Sequence, residues 1–289
     1  MTITQGASAG SGLFYNYGAT TTGQGGGHTF FKAKYGSPTA ADGTFVNYGS
    51  AVSGGASCAG HTVFAIILPQ TTHYCPVAGN GTFWNFPGTA EGASGGYTEF
   101  TVCAKAGTPI SGSKGPTAGN ATIINLGAFT EGASGGQTLF RGTSSAADAQ
   151  LIAIGGTNGG EGGRITFYDE SSGGAATVQL SGNGTLDISD YGQPSLSIGE
   201  LELAPGSIET SLGTATTCLV LSGNLIITAT PAAFYFEAGA GFTANTPYTI
   251  LTAPNLTHFT AGQFTGNSLN QGSPTFSIVG NHLQVSFSE

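Results

Sequence analysis

Charge is what this 289-residue chain has least of: Asp, Glu, Lys and Arg make up 7% of it, against roughly a quarter of an ordinary domain. The six basic residues, Lys32, Lys34, Lys105, Lys114, Arg141 and Arg164, form no stripe, and net charge is −9. Nucleic acid and anionic membrane are therefore poor partners. No apolar run approaches the length of a membrane-crossing helix, so no transmembrane segment is expected. MTITQGASAG, at the start, has neither a charged n-region nor an apolar core and is not read as a signal peptide. Helical periodicity is also missing, because glycine interrupts every stretch of the required length. The four cysteines include no CxxC pair, which argues against zinc. Cys58, Cys75 and Cys103 lie in or beside neighbouring repeats, which allows one disulfide among them; buried free thiols are the alternative. There is no G-x-S-x-G elbow and no G-x-G-x-x-G leading into a helix. Gly155–Gly163 lacks the aspartates of a calcium-binding nonapeptide repeat. No cofactor or metal is expected.

Present instead are 50 glycines alongside 39% hydrophobic residues. That combination fits neither a flexible linker nor collagen. The chain is organised around Ala121–Phe140, ATIINLGAFTEGASGGQTLF, which reads as strand, glycine-rich turn, strand. Copies are Gly12–Phe31, Gly43–Phe64, Gly81–Phe100 and, in degenerating form, Ala149–Phe167 and Ala176–Leu180. The steps from Asn16 to Asn47, Asn85, Asn125, Ala153 and Leu180 are 31, 38, 40, 28 and 27 residues. Such steps suit the coils of a β-solenoid with loops of varying size on one side. The expected fold is all-β, a right-handed parallel β-helix with shorter, degenerate coils and a hairpin towards the C-terminus. Residues 1–11 read as an N-terminal extension, 12–190 as five to six coils, and 191–289 as continuing solenoid. Val279-Gly280-Asn281-His282 reads as the hairpin turn.

Alternation assigns the faces. Ala176, Val178 and Leu180 alternate with Thr177, Gln179 and Ser181, so the apolar set points inward. The same register turns Asn16, Asn47, Asn85 and Asn125 inward as a stacked amide ladder. On the second strand it stacks Phe31, Phe64, Phe100, Phe140 and Phe167 up the core. It also turns outward a column of large apolar residues: Tyr15, Tyr17, Val46, Tyr48, Trp84, Phe86, Ile124, Leu126, Ile152 and Ile154. A patch of that size on a soluble chain marks a covered surface. The cover is an internal loop, another subunit, or nothing if the register is misread.

The chemical candidates are thin. Glu91 and Glu131 occupy equivalent turns of adjacent coils, where two carboxylates share a cation or splay into solvent. His28 and His61 head an outward column continued by Tyr97, Gln137 and Arg164, which reads as a solvated face. No paired acid and base emerges, so catalysis is not expected.

The unit A-T-I/F-x-N-x-G…G-G-x-T-x-F, ending in GNGTLDIS, and the tail SGNLIITA…TPYTILTAPNLTHFTAGQFTG resemble the passenger regions of autotransporter-type secreted bacterial β-helix proteins. The likeness runs from about Gly12 onwards. The sequence departs from that pattern in showing neither a signal peptide nor a C-terminal membrane barrel. The resemblance implies a location outside the cell or on its surface and a role in adhesion, display or assembly. The expected function is a structural subunit that associates with copies of itself into a fibre or layer. An adhesin or carbohydrate-binding module that recognises glycans through the exposed aromatics is the alternative, and a polysaccharide-degrading enzyme a weaker one.

Overall fold

The computed structural model describes every residue except 5, 34–35, 68–73, 104–113, 270–271 and 289, and the side chains of Ile67 and Cys103. Among the described residues there is no α-helix. The chain runs β1 (Thr2–Thr4), β2 (Leu13–Asn16), β3 (His28–Ala33), β4 (Thr44–Asn47), β5 (His61–Ile67), β6 (Thr82–Asn85) and β7 (Tyr97–Cys103). It continues through β8 (Thr122–Asn125), β9 (Gln137–Phe140), β10 (Gln150–Ala153), β11 (Arg164–Phe167), β12 (Thr177–Ser181), β13 (Thr185–Asp187), β14 (Ser195–Ile198) and β15 (Glu200–Ala204). Then follow β16 (Ser207–Leu212), β17 (Cys218–Leu221), β18 (Leu225–Ile227), β19 (Ala232–Ala238), β20 (Tyr248–Thr252), β21 (Phe264–Gly266), β22 (Pro274–Val279) and β23 (His282–Phe287).

Successive strands alternate between two long parallel sheets. The first is a ten-stranded sheet in the order β1-β3-β5-β7-β9-β11-β13-β16-β19-β21. The second has eight strands in the order β18-β15-β12-β10-β8-β6-β4-β2. One circuit of the chain thus lays one strand on each wall, a solenoid-like arrangement. A third wall starts as single parallel bridges, Ser8–Thr39–Val77–Thr117–Ser145–Ser172. Further along, a third sheet runs β14-β17-β20-β23-β22, parallel up to β20 and antiparallel beyond it.

The repeat forms these strands for identifiable reasons. Period-two alternation buries Phe45, Phe83, Ile123 and Leu151 completely. The Gly-Gly doublet before β3, β7, β9 and β11 sits where chains approach closely. A Cβ on Gly136 would overlap the carbonyl oxygen of Asn85, and one on Gly95 that of Gly135. Only glycine fits both places. At the corner before β2, β4, β6, β8, β10 and β12 the backbone turns left-handed, at Gly10, Ala41, Gly79, Gly119, Ala147 and Gly174.

The core is two phenylalanine columns. Phe31, Phe64, Phe100, Phe140 and Phe167 stack with centroid steps of 4.5, 4.8, 5.0 and 4.7 Å, all within 10° of parallel. Phe14, Phe45 and Phe83 stack at 4.7 and 4.9 Å and meet the first column edge-on, Phe31–Phe45 at 5.5 Å and Phe64–Phe83 at 5.7 Å. Both geometries are favourable for aromatic rings. Beside them runs the amide ladder. Each Nδ2 donates to the next Oδ1 at 2.8 Å, from Asn16 to Asn47 to Asn85 to Asn125. Thr29, Thr62, Thr98 and Thr138 donate their hydroxyls to the Oδ1 of the same coil at 3.1, 3.0, 3.0 and 2.9 Å. The ladder stops where the next rung is Ala153 with Ile165, leaving Asn125 Nδ2 buried without an acceptor.

In the N-terminal segment, β1 adds to the edge of β3, Thr2 opposite Phe30, and Ile3 enters the core. One expectation changes. The disulfide among Cys58, Cys75 and Cys103 does not form. Cys58 and Cys75 are both free, and any bond among the three needs one of them. Cys58 is buried in a short turn and donates to the Gly54 carbonyl at 3.3 Å. Cys75 packs instead on a separate cluster of Ala33, Ile66 and Val102, at the far ends of β3, β5 and β7. At the C-terminal end the hairpin β22–β23 turns through Gly280-Asn281. It brings Phe276 and Phe287 against Phe236, with centroids 6.1 and 5.5 Å apart.

Candidate functional site

The outer face of the eight-stranded sheet carries the apolar stripe. Parallel in-register pairing aligns Tyr15, Val46, Trp84, Ile124 and Ile152 in one column. Tyr17, Tyr48, Phe86, Leu126 and Ile154 follow two residues on, held by backbone bonds such as Tyr48 N–H to Asn16 O at 2.9 Å. Within the stripe exposure is uneven. Tyr15, Tyr17, Trp84 and Ile154 are 50, 62, 37 and 36% exposed, whereas Val46 and Ile124, on either side of Trp84, are 9 and 6%. Tyr48, Phe86, Leu126 and Ile152 are half-buried. The stripe is thus partly covered by itself, large rings shielding smaller neighbours. Of the spacers Lys32–Asp42, Leu68–Asn80 and Lys105–Gly119, the internal loops able to cover it, residues 34–35, 68–73 and 105–113 lie outside the described residues.

Ring geometry limits what the stripe can hold. Tyr17 and Tyr48 stack at 5.1 Å and 3°, and Tyr48 and Phe86 at 5.1 Å and 27°. Tyr48 is thus stacked on both sides, with both ring faces occupied. Beside the stripe run Thr44, Thr82 and Thr122. Beyond Ile152 the same column becomes Gln179 and Glu202, with Gln179 Nε2 donating to Glu202 at 2.9 Å. Ile152, Ile154, Gln179, Ser181, Glu202 and Ala204 line a shallow groove of about 230 Å³ at that transition.

The outer face of the ten-stranded sheet is chemically different. His28, His61 and Tyr97 stack at 5.4 and 4.6 Å. Burial lowers the His61 pKa, against a bond to the Ala59 carbonyl and helped by His28. Burial pushes the Tyr97 hydroxyl up to about 12, with Glu99 adding to it. Glu99 is raised by burial, although Arg141 at 3.1 Å pulls it down. Arg141 also lies 3.9 Å over the Tyr168 ring. One coil further, Arg164 bridges Asp187 at 3.0 Å and Glu209. Asp187 lies between the core residues Leu186 and Ile188, and Arg164 and Ser189 enclose its carboxylate. Glu209 was not connected to this cluster by sequence reading; aligning TLD with SIET supplies the link.

Glu91 and Glu131 are exposed and not paired with each other. The stem of each reaches over the turn glycine of the next coil, Gly132 and Gly159. No group of three or more His, Cys, Asp or Glu is gathered for a metal among the described residues. No helix there is long and apolar enough to cross a membrane. No protein-family model, curated protein or solved structure matches this chain.

Proposed function

We propose that this chain is an extracellular structural subunit, a right-handed parallel β-helix of the autotransporter-passenger kind, that associates side to side with copies of itself. The carrying observation is the exposed, charge-free stripe of the eight-stranded sheet, with Tyr15, Tyr17, Trp84 and Ile154 open to solvent. Column stacking favours a protein over a sugar as its partner. Carbohydrate rings bind to open aromatic faces, and here the Tyr48 face is taken by Tyr17 and Phe86. A second copy fits because it offers the same uncharged surface. Glu200 and Glu202 stand at the C-terminal end of the same face. Two copies aligned in the same direction would bring these carboxylates together, so opposed directions are favoured.

The contact is weak by itself. Five rungs at about 4.8 Å and two columns give a face about 24 Å by about 14 Å, or about 340 Å². A stable pair needs about 800 Å² on each partner. Strength then comes from repetition in a bundle or layer. Sedimentation velocity over a wide concentration range tests this. The parent is expected to show growing association, and Tyr17→Ser/Trp84→Ser/Ile154→Ser to lose it. A parent that stays monomeric at the highest concentration refutes the proposal. A glycan that binds the parent and not Trp84→Ala would move the stripe to the carbohydrate reading.

A further inference from the structure

The C-terminal end of a solenoid exposes the last strand of each wall, whose free N–H and C=O groups invite another strand. Here two asparagine side chains occupy part of those groups. Asn255 meets the backbone of Leu225 on β18, the edge of the eight-stranded sheet. Leu225 N–H donates to Asn255 Oδ1 at 3.0 Å, and Asn255 Nδ2 donates to the Leu225 carbonyl at 2.8 Å. Asn267 does the same to Phe236 on β19, in the stretch left open by β21, the short outermost strand of the ten-stranded sheet, which pairs only with Ala232–Phe234. Phe236 N–H donates to Asn267 Oδ1 at 2.6 Å, and Asn267 Nδ2 to the Phe236 carbonyl at 3.0 Å. A carboxamide carries the same donor and acceptor as a peptide group. Each side chain therefore stands in for one residue of an absent strand, on both long sheets.

The third wall ends differently. β20 is followed by β23 and β22, so the parallel run ends in an antiparallel hairpin. The core beneath is covered as well: Leu256 is fully buried, and Phe264 nearly so.

We infer that this end face is a built terminator that refuses strand addition by a further copy of the chain, so that rods cannot grow end to end from it. The inference is independent of the side-face proposal and shares no residue with it.

The test is Asn255→Ala/Asn267→Ala in the full chain, with and without the Tyr17→Ser/Trp84→Ser/Ile154→Ser background. The parent is expected to form no end-to-end rods by negative-stain electron microscopy. The Asn variant is expected to form them in both backgrounds, which separates the end from the side. End-to-end rods in the parent that join through the C-terminal face overturn the inference. So does a folded Asn variant that forms none. If the Ala variant fails to fold, hydrogen exchange on the parent decides. The Leu225 and Phe236 amides are then expected to exchange at least about tenfold more slowly than solvent-facing turn amides. Exchange at turn rates would mean the two edges are open and the terminator absent.

Discussion

Asn85→Ala should be among the most damaging single changes in this protein. The Asn85 amide donates to Asn125 Oδ1 at 2.8 Å and to the Gln137 carbonyl at 2.9 Å. It accepts from Asn47 at 2.8 Å and Thr98 at 3.0 Å. Some partners have fallbacks: Asn47 Nδ2 also reaches Thr98 at 3.3 Å, and Asn125 Oδ1 keeps Thr138. Part of the Asn47 and Thr98 donor capacity does not. Orphaned buried groups cost about 1–3 kcal/mol each, and the vacated volume adds to that, so a loss of about 3–5 kcal/mol is expected. The control is Asn125→Ala/Thr138→Ile, one rung along. It copies the Ala153/Ile165 pair that naturally follows. It deletes the buried Asn125 Nδ2 that has no acceptor, and Asn85 Nδ2 keeps the Gln137 carbonyl. Stability within about 1 kcal/mol of the parent, or above it, is expected. Urea unfolding followed by fluorescence, with amide exchange to localise the change, measures both. Because a solenoid unfolds in sections, exchange near β6 and β8 is the more direct reading. If Asn85→Ala loses under about 1 kcal/mol, or the double variant loses as much as Asn85→Ala, the ladder does not hold the coils together as argued.

Ala41 and Ala147 sit at φ of 51° and 50°, where neighbouring coils place glycine. Ala41→Gly and Ala147→Gly should each stabilise by about 1 kcal/mol, measured as a shift of the urea midpoint. In contrast, Gly136→Ala forces a Cβ into the Asn85 carbonyl and should prevent soluble folding, read as loss of far-ultraviolet β signal. The pH dependence has two opposed parts. His61 has a folded pKa below its ordinary 6.5, so its contribution is present above 6.5 and lost as pH falls through the folded value. His61→Gln should flatten that acid loss in thermal melts. Glu99 has a folded pKa above its ordinary 4.5, so ionising it costs stability as pH rises past 4.5. Glu99→Gln should therefore melt higher than the parent at neutral pH and match it below 4.5.

Much of the architecture could be read from the repeat. Alternation in ATVQL assigned the faces, and the matching positions of Asn16, Asn47, Asn85 and Asn125 implied a ladder. The structure places those amides in continuous hydrogen bonding. The Thr rungs that complete it were visible as a column, but their donation to the Asn oxygens depends on how two walls meet at a corner. The burial of Val46 and Ile124 on an outward face was not readable either. It depends on the size of neighbours one coil away, which alternation within a strand does not encode. The cysteines misled because proximity in the coil order says nothing of direction: Cys58 and Cys75 belong to different pockets. The terminator was hidden for a similar reason. Asn255 and Asn267 lie in irregular segments, and nothing local distinguishes them from other turn asparagines.

The decay of the repeat along the chain now has a physical meaning. Coils bearing an Asn rung also bear the apolar stripe. Where the rung becomes Ala153, the outward column ends at Ile152 and then turns to Gln179 and Glu202. On the other wall the same boundary brings in Arg164, Asp187 and Glu209, a cluster of charge in a chain that otherwise has little. Inside and outside change together, because a buried amide ladder and an uncharged outer face make the same demand. Both need coils stacked in strict register, so that equivalent side chains meet. Once the ladder is released, apolar packing of Leu180, Leu203 and Leu225 holds the coils. Such packing tolerates irregular steps, and the outer face is free to become polar. Under the proposed function, the N-terminal half serves contact and the C-terminal half solvation and closure. A chimera carrying Ala/Ile rungs throughout should keep its fold and lose the flat alignment of Tyr17, Tyr48 and Phe86. Side association would then fall although every stripe residue remained. Undiminished association in that chimera would show that register on the stripe does not depend on the amides beneath it.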